Sequence, residues 1–217
     1  NFWRFSDFED VIEFTLGEKF EKIDADWTYY LKQRYFPLYA DKTPHFIDSK
    51  KITYEGFNFS PSFYSNDDEE EIYFVANRDG YSSVYKMEYN PDSIDYLEPE
   101  VIIRGEQEAV FESFHLTKPS LAVSNNGILT FITKSGAADA IHIYDIDEEE
   151  IVETYKFDEI ISIQSPSFSK DGKIIAFHGI DRRGYIDIYT MKISDGTLKR
   201  ITDDYYADID PVFNKDN

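Results

Sequence analysis

The chain has 217 residues, and 43 Asp and Glu against 22 Lys and Arg give it a formal net charge of −21. This charge opposes binding to phosphate backbones and anionic headgroups, which excludes nucleic acid and membrane surfaces as partners. Hydrophobic residues make up 41% of the chain, too many for a disordered acidic segment, yet no apolar run approaches the roughly 18 residues of a transmembrane helix. The chain contains no cysteine, so disulfides, thiolate zinc sites and cysteine nucleophiles are excluded.

Residues 1–50 are predicted to form a short helical segment, because their apolar residues recur at helical spacing. Ser6 and Glu9 have the spacing of a capping box, and Gly17 is a natural helix stop. The chain begins at Asn1 without an initiator Met or a signal region, so we expect it to be part of a longer polypeptide.

A second helix is predicted to start near Asp24, with Trp27 and Tyr30 on one face. It should end before Pro37, because proline lacks the amide hydrogen that an interior helical residue donates.

Residues 51–217 are predicted to form β-propeller blades, because the same sequence pattern of short strands and turns repeats along them. Each copy starts at a proline and continues into an apolar strand. The copies begin at Pro61, Pro119, Pro166 and Pro211, which lie 58, 47 and 45 residues apart. The last two spacings match one blade, so we expect three blades and the start of a fourth.

The turns and strands of this repeat indicate four-stranded antiparallel sheets. Asp171 with Gly172, and Asn126 with Gly127, are predicted to supply the positive φ angles of type I′ hairpins. The strand over 174–177 is apolar on both faces, which predicts that neighbouring blades cover both. The expected fold class is mainly β: a partial β-propeller of four-stranded antiparallel blades, preceded by a short α-helical segment. Its closure would need further blades or another subunit.

The sequence repeat of residues 51–217 resembles the repeats of the TolB-like propeller family, which are also described as WD40-like PD40 repeats. The resemblance is carried by Pro166 to Phe168, the Asp171-Gly172 turn, the strand over 174–177 and Asp187-Ile188-Tyr189. It implies a non-catalytic propeller that binds proteins or acts as a scaffold, in the periplasm or elsewhere outside the bacterial cytoplasm. It implies no cofactor.

A second resemblance concerns residues 8–37, whose apolar and aromatic residues are similar to the helical end of a gluzincin-type metallopeptidase domain. It rests on Trp27, Tyr30, Leu31 and Tyr35 before Pro37. It implies an alternative function, the substrate-docking part of a zinc metallopeptidase whose His-Glu-x-x-His helix lies outside this chain. A purely architectural part of a larger assembly is a further alternative.

No catalytic residues are predicted within the chain. The four histidines, His45, His115, His142 and His178, include no pair at i, i+4 with an adjacent Glu, and no Gly-x-Ser-x-Gly elbow is present. His142 and His178 fall in predicted strands and are interpreted as packing or surface residues. We therefore do not expect an enzyme.

The acidic runs over 67–71 and 145–150 are interpreted as solvated loop tips. Calcium binding is the alternative for the acidic residues, since Ca²⁺ prefers clustered carboxylate oxygens. The candidate ligands are Asp203, Asp204, Asp208 and Asp210, although they lack the spacing of an EF-hand loop.

Tyrosines and phenylalanines divide into core and binding candidates. Tyr73, Tyr85, Tyr144 and Tyr189 recur at equivalent strand positions and are expected in the core, with hydroxyls that reach a neighbouring blade. Four aromatic residues are expected in connections at the rim, where propellers bind partners: Tyr205, Tyr206, Phe111 and Phe114. The expected partner is a protein or peptide of basic or neutral character.

Overall fold

The computed structural model describes residues 2–66, 69–78, 80–90, 98–105, 112–115, 117–118 and 120–214. The chain separates into two compact units, Asn1–Ile52 and Thr53–Asn217. Their boundary lies two residues beyond the end of the predicted helical segment.

The first unit is helical. It contains a 3-10 turn over Phe2–Arg4 and three α-helices, α1 (Phe8–Leu16), α2 (Phe20–Tyr39) and α3 (His45–Asp48). Among the helical residues whose side chains are described, Val11 is the only one that is buried. None of the helices in the described ranges is long and apolar enough to cross a membrane.

The helix ends differ in part from the predictions. The N-cap of α1 is Asp7 and not Ser6, and its Oδ1 accepts the backbone amide of Glu9 at 2.8 Å. Gly17 ends α1 in the left-handed conformation as predicted, with φ 75°. Helix α2 begins at Phe20, four residues before the predicted start. The carbonyl of Lys19 accepts the backbone hydrogen bonds of its first turn.

The predicted end of α2 is also wrong, because the helix continues through Pro37 to Tyr39. Pro37 lies in the last turn, so its missing amide hydrogen removes one hydrogen bond near a helix end that frays in any case.

The second unit consists of three antiparallel sheets, which are the predicted blades. Blade 1 contains β1 (Phe57–Ser65), β2 (Glu70–Asn77), β3 (Ser82–Glu88) and β4 (Glu100–Ile103). Blade 2 contains β5 (Ser113–Phe114), β6 (Leu121–Val123), β7 (Ile128–Ser135), β8 (Ala138–Asp145) and β9 (Glu150–Lys156). Blade 3 contains β10 (Ile160–Phe168), β11 (Ile174–Asp181), β12 (Ile186–Lys192) and β13 (Leu198–Arg200). None of these sheets closes on itself within the described residues.

In blade 2 the first strand is in two pieces, since β5 and β6 both pair with β7. The other two blades have a β-bulge at the same place, where the register shifts between Phe59 and Ser62 in β1 and between Gln164 and Ser167 in β10. Pro61 and Pro166 lie in these two bulges, because proline has no amide hydrogen to give to a ladder.

The residue before the proline has positive φ in three copies of the repeat: Ser60, Ser165 and Asp210. The two serines also make contacts beyond their own blade, Ser60 with blade 2 and Ser165 with the start of the fourth copy. Ser60 Oγ donates to the carbonyl of Lys118 at 3.4 Å, and Ser165 Oγ donates to Asp210 Oδ1 at 2.5 Å. The fourth copy therefore repeats the positive φ before its proline, at Asp210, although the structure assigns no strand there.

The predicted type I′ hairpins are wrong. Gly172 has φ 65°, but Asp171 has no positive φ, and the same holds for Gly127 and Asn126. The Asp171 side chain instead shapes a longer turn, in which its Oδ1 accepts Ser169 Oγ and the amide of Lys173. A Cβ on Gly172 would lie 2.4 Å from Asn126 Nδ2, so this glycine also permits the close approach of blade 2.

The core consists of two layers between the three blades. Between blades 1 and 2, Tyr73, Val75 and Val84 pack against Leu129 and Phe131. Between blades 2 and 3, a second set of buried residues comes from both sheets: Ile132, Ile141, Ile143, Ile160, Ile163, Ile175, Phe177, Tyr189 and Met191. Strand β7 thus faces blade 1 with Leu129 and Phe131 and blade 3 with Ile132, which confirms that a blade is covered on both faces.

The four repeated tyrosines, Tyr73, Tyr85, Tyr144 and Tyr189, are buried as predicted. The Tyr73 hydroxyl, however, donates to Glu71 of the same strand and does not reach another blade. A hydroxyl that does link two blades is that of Tyr155, which donates to the carbonyl of Ile193 at 2.6 Å.

The two acidic runs have different outcomes. Residues 146–149 form the turn between β8 and β9, and Asp145 Oδ1 accepts the amides of Asp147 and Glu148. In the other run, residues 67–68 lie outside the described residues, while Glu70 and Glu71 belong to β2 and not to a loop.

His142 is a packing residue, as expected. It is fully buried in β8, its ring stacks on Phe131, and its two nitrogens lie 2.8 Å from Thr133 Oγ1 and 3.0 Å from Thr154 Oγ1. Burial, with a smaller contribution from Lys156, lowers the pKa of His142 from 6.5 to about 4. The imidazole is therefore neutral in the folded chain.

This pKa predicts how stability depends on pH. Below the ordinary pKa of 6.5 the unfolded chain binds a proton that the folded chain excludes, so the free energy of unfolding falls as the pH drops toward about 4. Urea unfolding at about pH 7 and about pH 5 should show the wild type losing about 2 kcal/mol more than His142→Gln, which does not titrate. Equal losses in the two proteins would contradict this assignment.

Candidate functional site

One end of blade 3 carries two adjoining cavities, formed by the turns at the ends of its strands. The smaller one, about 210 Å³, is lined by Arg183, Tyr185, Asp203, Asp204 and Tyr205. The larger one, about 370 Å³, shares Arg183 and is otherwise lined by Asp158, Glu159, Asp181, Arg182, Tyr189 and Arg200. We call this end of the blade the rim site.

The turn between β11 and β12 is organised by the buried side chain of Asp181. Its Oδ1 accepts the amides of Arg183 at 2.8 Å and Tyr185 at 3.0 Å, while Oδ2 lies 2.9 Å from Arg183 Nη2. Burial would raise the pKa of Asp181, but the hydrogen bonds from Arg183 and Tyr185 outweigh it and hold the pKa below its usual value. Asp181 is thus a fixed negative charge that shapes the turn.

The segment after β13 is attached to blade 3 by a buried ion pair. Asp187 of β12 is 0% exposed, and its Oδ2 lies 2.6 Å from Arg200 Nη2. Arg200 also donates from Nε to the carbonyl of Thr202 at 3.0 Å and contacts Asp203 Oδ1 at 2.9 Å. Thr202 Oγ1 in turn accepts the amide of Ile188. The chain therefore leaves β13 in a defined direction.

This segment presents two tyrosines to solvent. Tyr205 is 89% exposed and Tyr206 is 79% exposed. The Tyr206 amide donates to Asp204 Oδ1 at 2.8 Å, and the Tyr205 ring meets the Tyr185 ring edge to face with centroids 6.1 Å apart. The backbone then returns to the sheet, where the amide of Asp208 donates to the carbonyl of Ile186 at 3.1 Å. Two exposed aromatic rings thus stand on an anchored connection.

The four candidate calcium ligands do not form a metal-binding group, although Asp203 and Asp204 line the same cavity. Among the described residues, no three His, Asp or Glu side chains are placed to hold a metal ion. Asp203 is paired with Arg200, Asp204 caps its own turn, and Asp210 accepts Ser165 Oγ at the start of the fourth copy. The described residues therefore give no support to calcium binding by Asp203, Asp204, Asp208 and Asp210, which stays a prediction.

The four aromatic candidates also divide. Tyr205 and Tyr206 lie on an exposed connection, as expected. Phe114 belongs to β5 and is buried in the core between blades 1 and 2, so its expected place at the rim is wrong. Phe111 lies outside the described residues.

Two further histidines take part in polar contacts that extend beyond their own blade. His115 Nε2 lies 2.8 Å from Asp139 Oδ1, and the buried Asp139 accepts the amide of Ile163 from blade 3 at its other oxygen. His178 Nδ1 accepts the amide of Asp210 at 3.3 Å. Burial lowers the pKa of His178, which keeps this nitrogen available as an acceptor. The side chain of His45 lies outside the described residues.

Sequence reasoning missed Arg183, Tyr185 and Arg200. Asp181 followed by Gly184 is a recognisable turn signal, and it could have located the turn in the sequence. No sequence pattern shows that this turn lies beside Tyr205, since the contact spans two different connections of the blade.

The ion pair between Asp187 and Arg200 predicts that substitutions at Arg200 and at Asp203 differ strongly in their effect on the free energy of unfolding. Arg200→Met leaves Asp187 buried without its partner and should lower the free energy of unfolding by about 3 kcal/mol. Asp203→Asn removes an exposed partner of the same arginine and should cost less than about 1 kcal/mol. Urea unfolding followed by far-UV circular dichroism measures both, and similar losses would refute the proposed anchoring role of the buried pair.

No protein-family model matches the chain, and no curated protein matches it either. The fold does match solved structures. TolB from Acinetobacter baumannii aligns with a TM-score of 0.52 and 19% identity over 70% of this chain and 34% of its own. A putative TolB from Agrobacterium tumefaciens aligns with a TM-score of 0.50 and 20% identity over 65% of this chain and 45% of its own.

The chain thus spans less than half of the length of either protein, 34% of the first and 45% of the second. At this level of identity the likeness concerns the fold, which agrees with the stacked four-stranded sheets described above. The chain has the fold of TolB-like β-propeller blades, with three blades within the described residues.

Proposed function

We propose that the blades form a non-catalytic module that binds a protein or peptide through the rim site. The observation that carries the proposal is the exposure of Tyr205 and Tyr206 on a connection that is anchored to the sheet. Exposed tyrosines on a rigid support bury a large area at low entropic cost, which is why interfaces are enriched in them. Loops at the ends of a rigid scaffold are also where binding residues concentrate.

The charge of the chain supports this class of partner. A net charge of −21 opposes nucleic acids and anionic lipids, whereas a basic or neutral protein surface is attracted or unaffected. The resemblance to TolB-like propellers supports a location in the periplasm or elsewhere outside the cytoplasm. The same resemblance supports a scaffolding role, in which further blades or another subunit complete the ring.

Replacing both rim tyrosines tests the proposal. Tyr205→Ala with Tyr206→Ala should change the free energy of unfolding by less than about 0.5 kcal/mol, because both side chains are exposed. The same double variant should lose at least about nine-tenths of the partner that wild-type protein captures by chemical crosslinking in an extract of its source cells.

The matched control is Tyr54→Ala with Tyr81→Ala, which also removes two exposed tyrosines of the second unit. The proposal requires one crosslinked species that the wild type and this control both capture and that the rim variant does not. Equal capture by all three proteins would reject the rim site as the binding surface.

A second candidate function is favoured by the helical unit. Trp27 is 60% exposed and Phe36 is 63% exposed, so helix α2 leaves large aromatic side chains uncovered. Such surfaces mark contacts with another protein surface. This supports the alternative in which the unit belongs to a zinc metallopeptidase domain and the propeller docks its substrates, with the zinc bound outside the residues described here.

This candidate predicts a metal in the natural gene product. Purified at its natural length, that protein should contain about one zinc ion per polypeptide and should hydrolyse casein until 1,10-phenanthroline is added. A protein free of zinc and without this activity would leave the binding module as the function of the chain.

A further inference from the structure

We propose that the smaller cavity of the rim site accepts the cationic side chain of an arginine or lysine from the protein partner. This inference rests on the proposed function, because it concerns the same surface. It adds the chemistry of the residue that the surface recognises.

The lining of the cavity combines the two kinds of group that hold such a cation. Part of the lining is already engaged: Arg183 contacts the Tyr185 ring, and Asp203 pairs with Arg200. Tyr205 offers an exposed aromatic ring, and Asp204 offers an exposed carboxylate beside it. A guanidinium or ammonium group is attracted to both, through the ring quadrupole and through charge-assisted hydrogen bonds. The volume of about 210 Å³ is on the scale of one long side chain rather than a folded segment.

The chain itself shows this mode of binding at the edge of the cavity. The guanidinium carbon of Arg183 lies 5.1 Å from the centroid of the Tyr185 ring, while its Nη2 lies 2.9 Å from Asp181. One ring and one carboxylate therefore already hold an arginine here. Tyr205 and Asp204 supply the same pair of groups on the side that faces solvent.

The arginines of the rim site do not make it a site for anions. Arg183 is paired with Asp181, Arg200 is paired with Asp187 and Asp203, and Arg182 Nε donates to the carbonyl of Asp158 at 2.7 Å. Counting both cavities and the buried pair, these three arginines face six carboxylates: Asp158, Glu159, Asp181, Asp187, Asp203 and Asp204. The excess charge is negative, so an incoming phosphate or carboxylate group is repelled.

The probes are three short peptides that differ at one residue, Ac-Gly-Ser-Arg-Ser-Gly-NH2 and its lysine and citrulline counterparts. Citrulline keeps the shape of arginine without the charge. In titrations of the isotope-labelled chain followed by amide NMR shifts, the arginine and lysine peptides should move amides within residues 183–185 and 203–206. They should bind at least about fivefold more tightly than the citrulline peptide.

Substitutions separate the cavity from general attraction to an acidic chain. Tyr205→Ala should weaken binding of the arginine peptide about fivefold, whereas Tyr205→Phe keeps the ring and should leave it nearly unchanged. Asp204→Asn should weaken binding about threefold, while its side-chain oxygen can still accept the Tyr206 amide. The matched control Glu148→Gln removes one exposed charge from the β8–β9 turn and should have no such effect.

The inference is overturned if the peptides shift amides elsewhere, if citrulline binds as well as arginine, or if Asp204→Asn and Glu148→Gln weaken binding equally. These failures are distinct from failure of the proposed function. If the double tyrosine variant loses the crosslinked partner while no cationic peptide binds the cavity, the rim site binds its partner by other contacts. If cationic peptides bind as expected but partner capture is unchanged, the cavity is real and the proposed function is wrong.

Discussion

Stacking of one sheet on the next is the interaction on which the rest of the propeller unit depends. Blade 2 shows it most clearly, because β7 buries Leu129 and Phe131 against blade 1 and Ile132 against blade 3. A sheet that is apolar on both faces has no stable place in water by itself, so each blade requires its neighbours.

Polar contacts at the repeated bulges keep the stacked sheets in register. Ser60 and Ser165 occupy equivalent positions before a proline, and each donates to the residue before the next proline, Lys118 and Asp210. Proline has no amide hydrogen for the ladder at this point, and the hydroxyl of the preceding serine makes a contact beyond its own blade. A serine thus stands before the proline in both blades. Asp210 has the same positive φ before its own proline, which extends the pattern to the fourth copy.

The rim site combines an anchored backbone with free side chains. Arg200 links the buried Asp187 to the exposed Asp203, so the connection that follows β13 starts from a fixed point. The rings of Tyr205 and Tyr206 extend into solvent from that connection. Because the backbone of this connection is already ordered, binding a partner would not carry the entropy cost of ordering it. More of the interaction energy would then appear as affinity.

Several features follow from the sequence alone: the sheet class, the repeat, the buried tyrosines and the exposure of Tyr205 and Tyr206. These features depend on periodicity and on turn residues, which are local properties of the chain. The tertiary structure decided those that depend on contacts between distant residues. It places Phe114 in the core and gives Asp203, Asp204 and Asp210 different hydrogen-bonding partners. It also makes the turn at Asp171 longer than the predicted type I′ hairpin. The cavity beside Tyr205 belongs to this second group, because Tyr185 meets Tyr205 only when separate connections of blade 3 are brought to one end of the sheet.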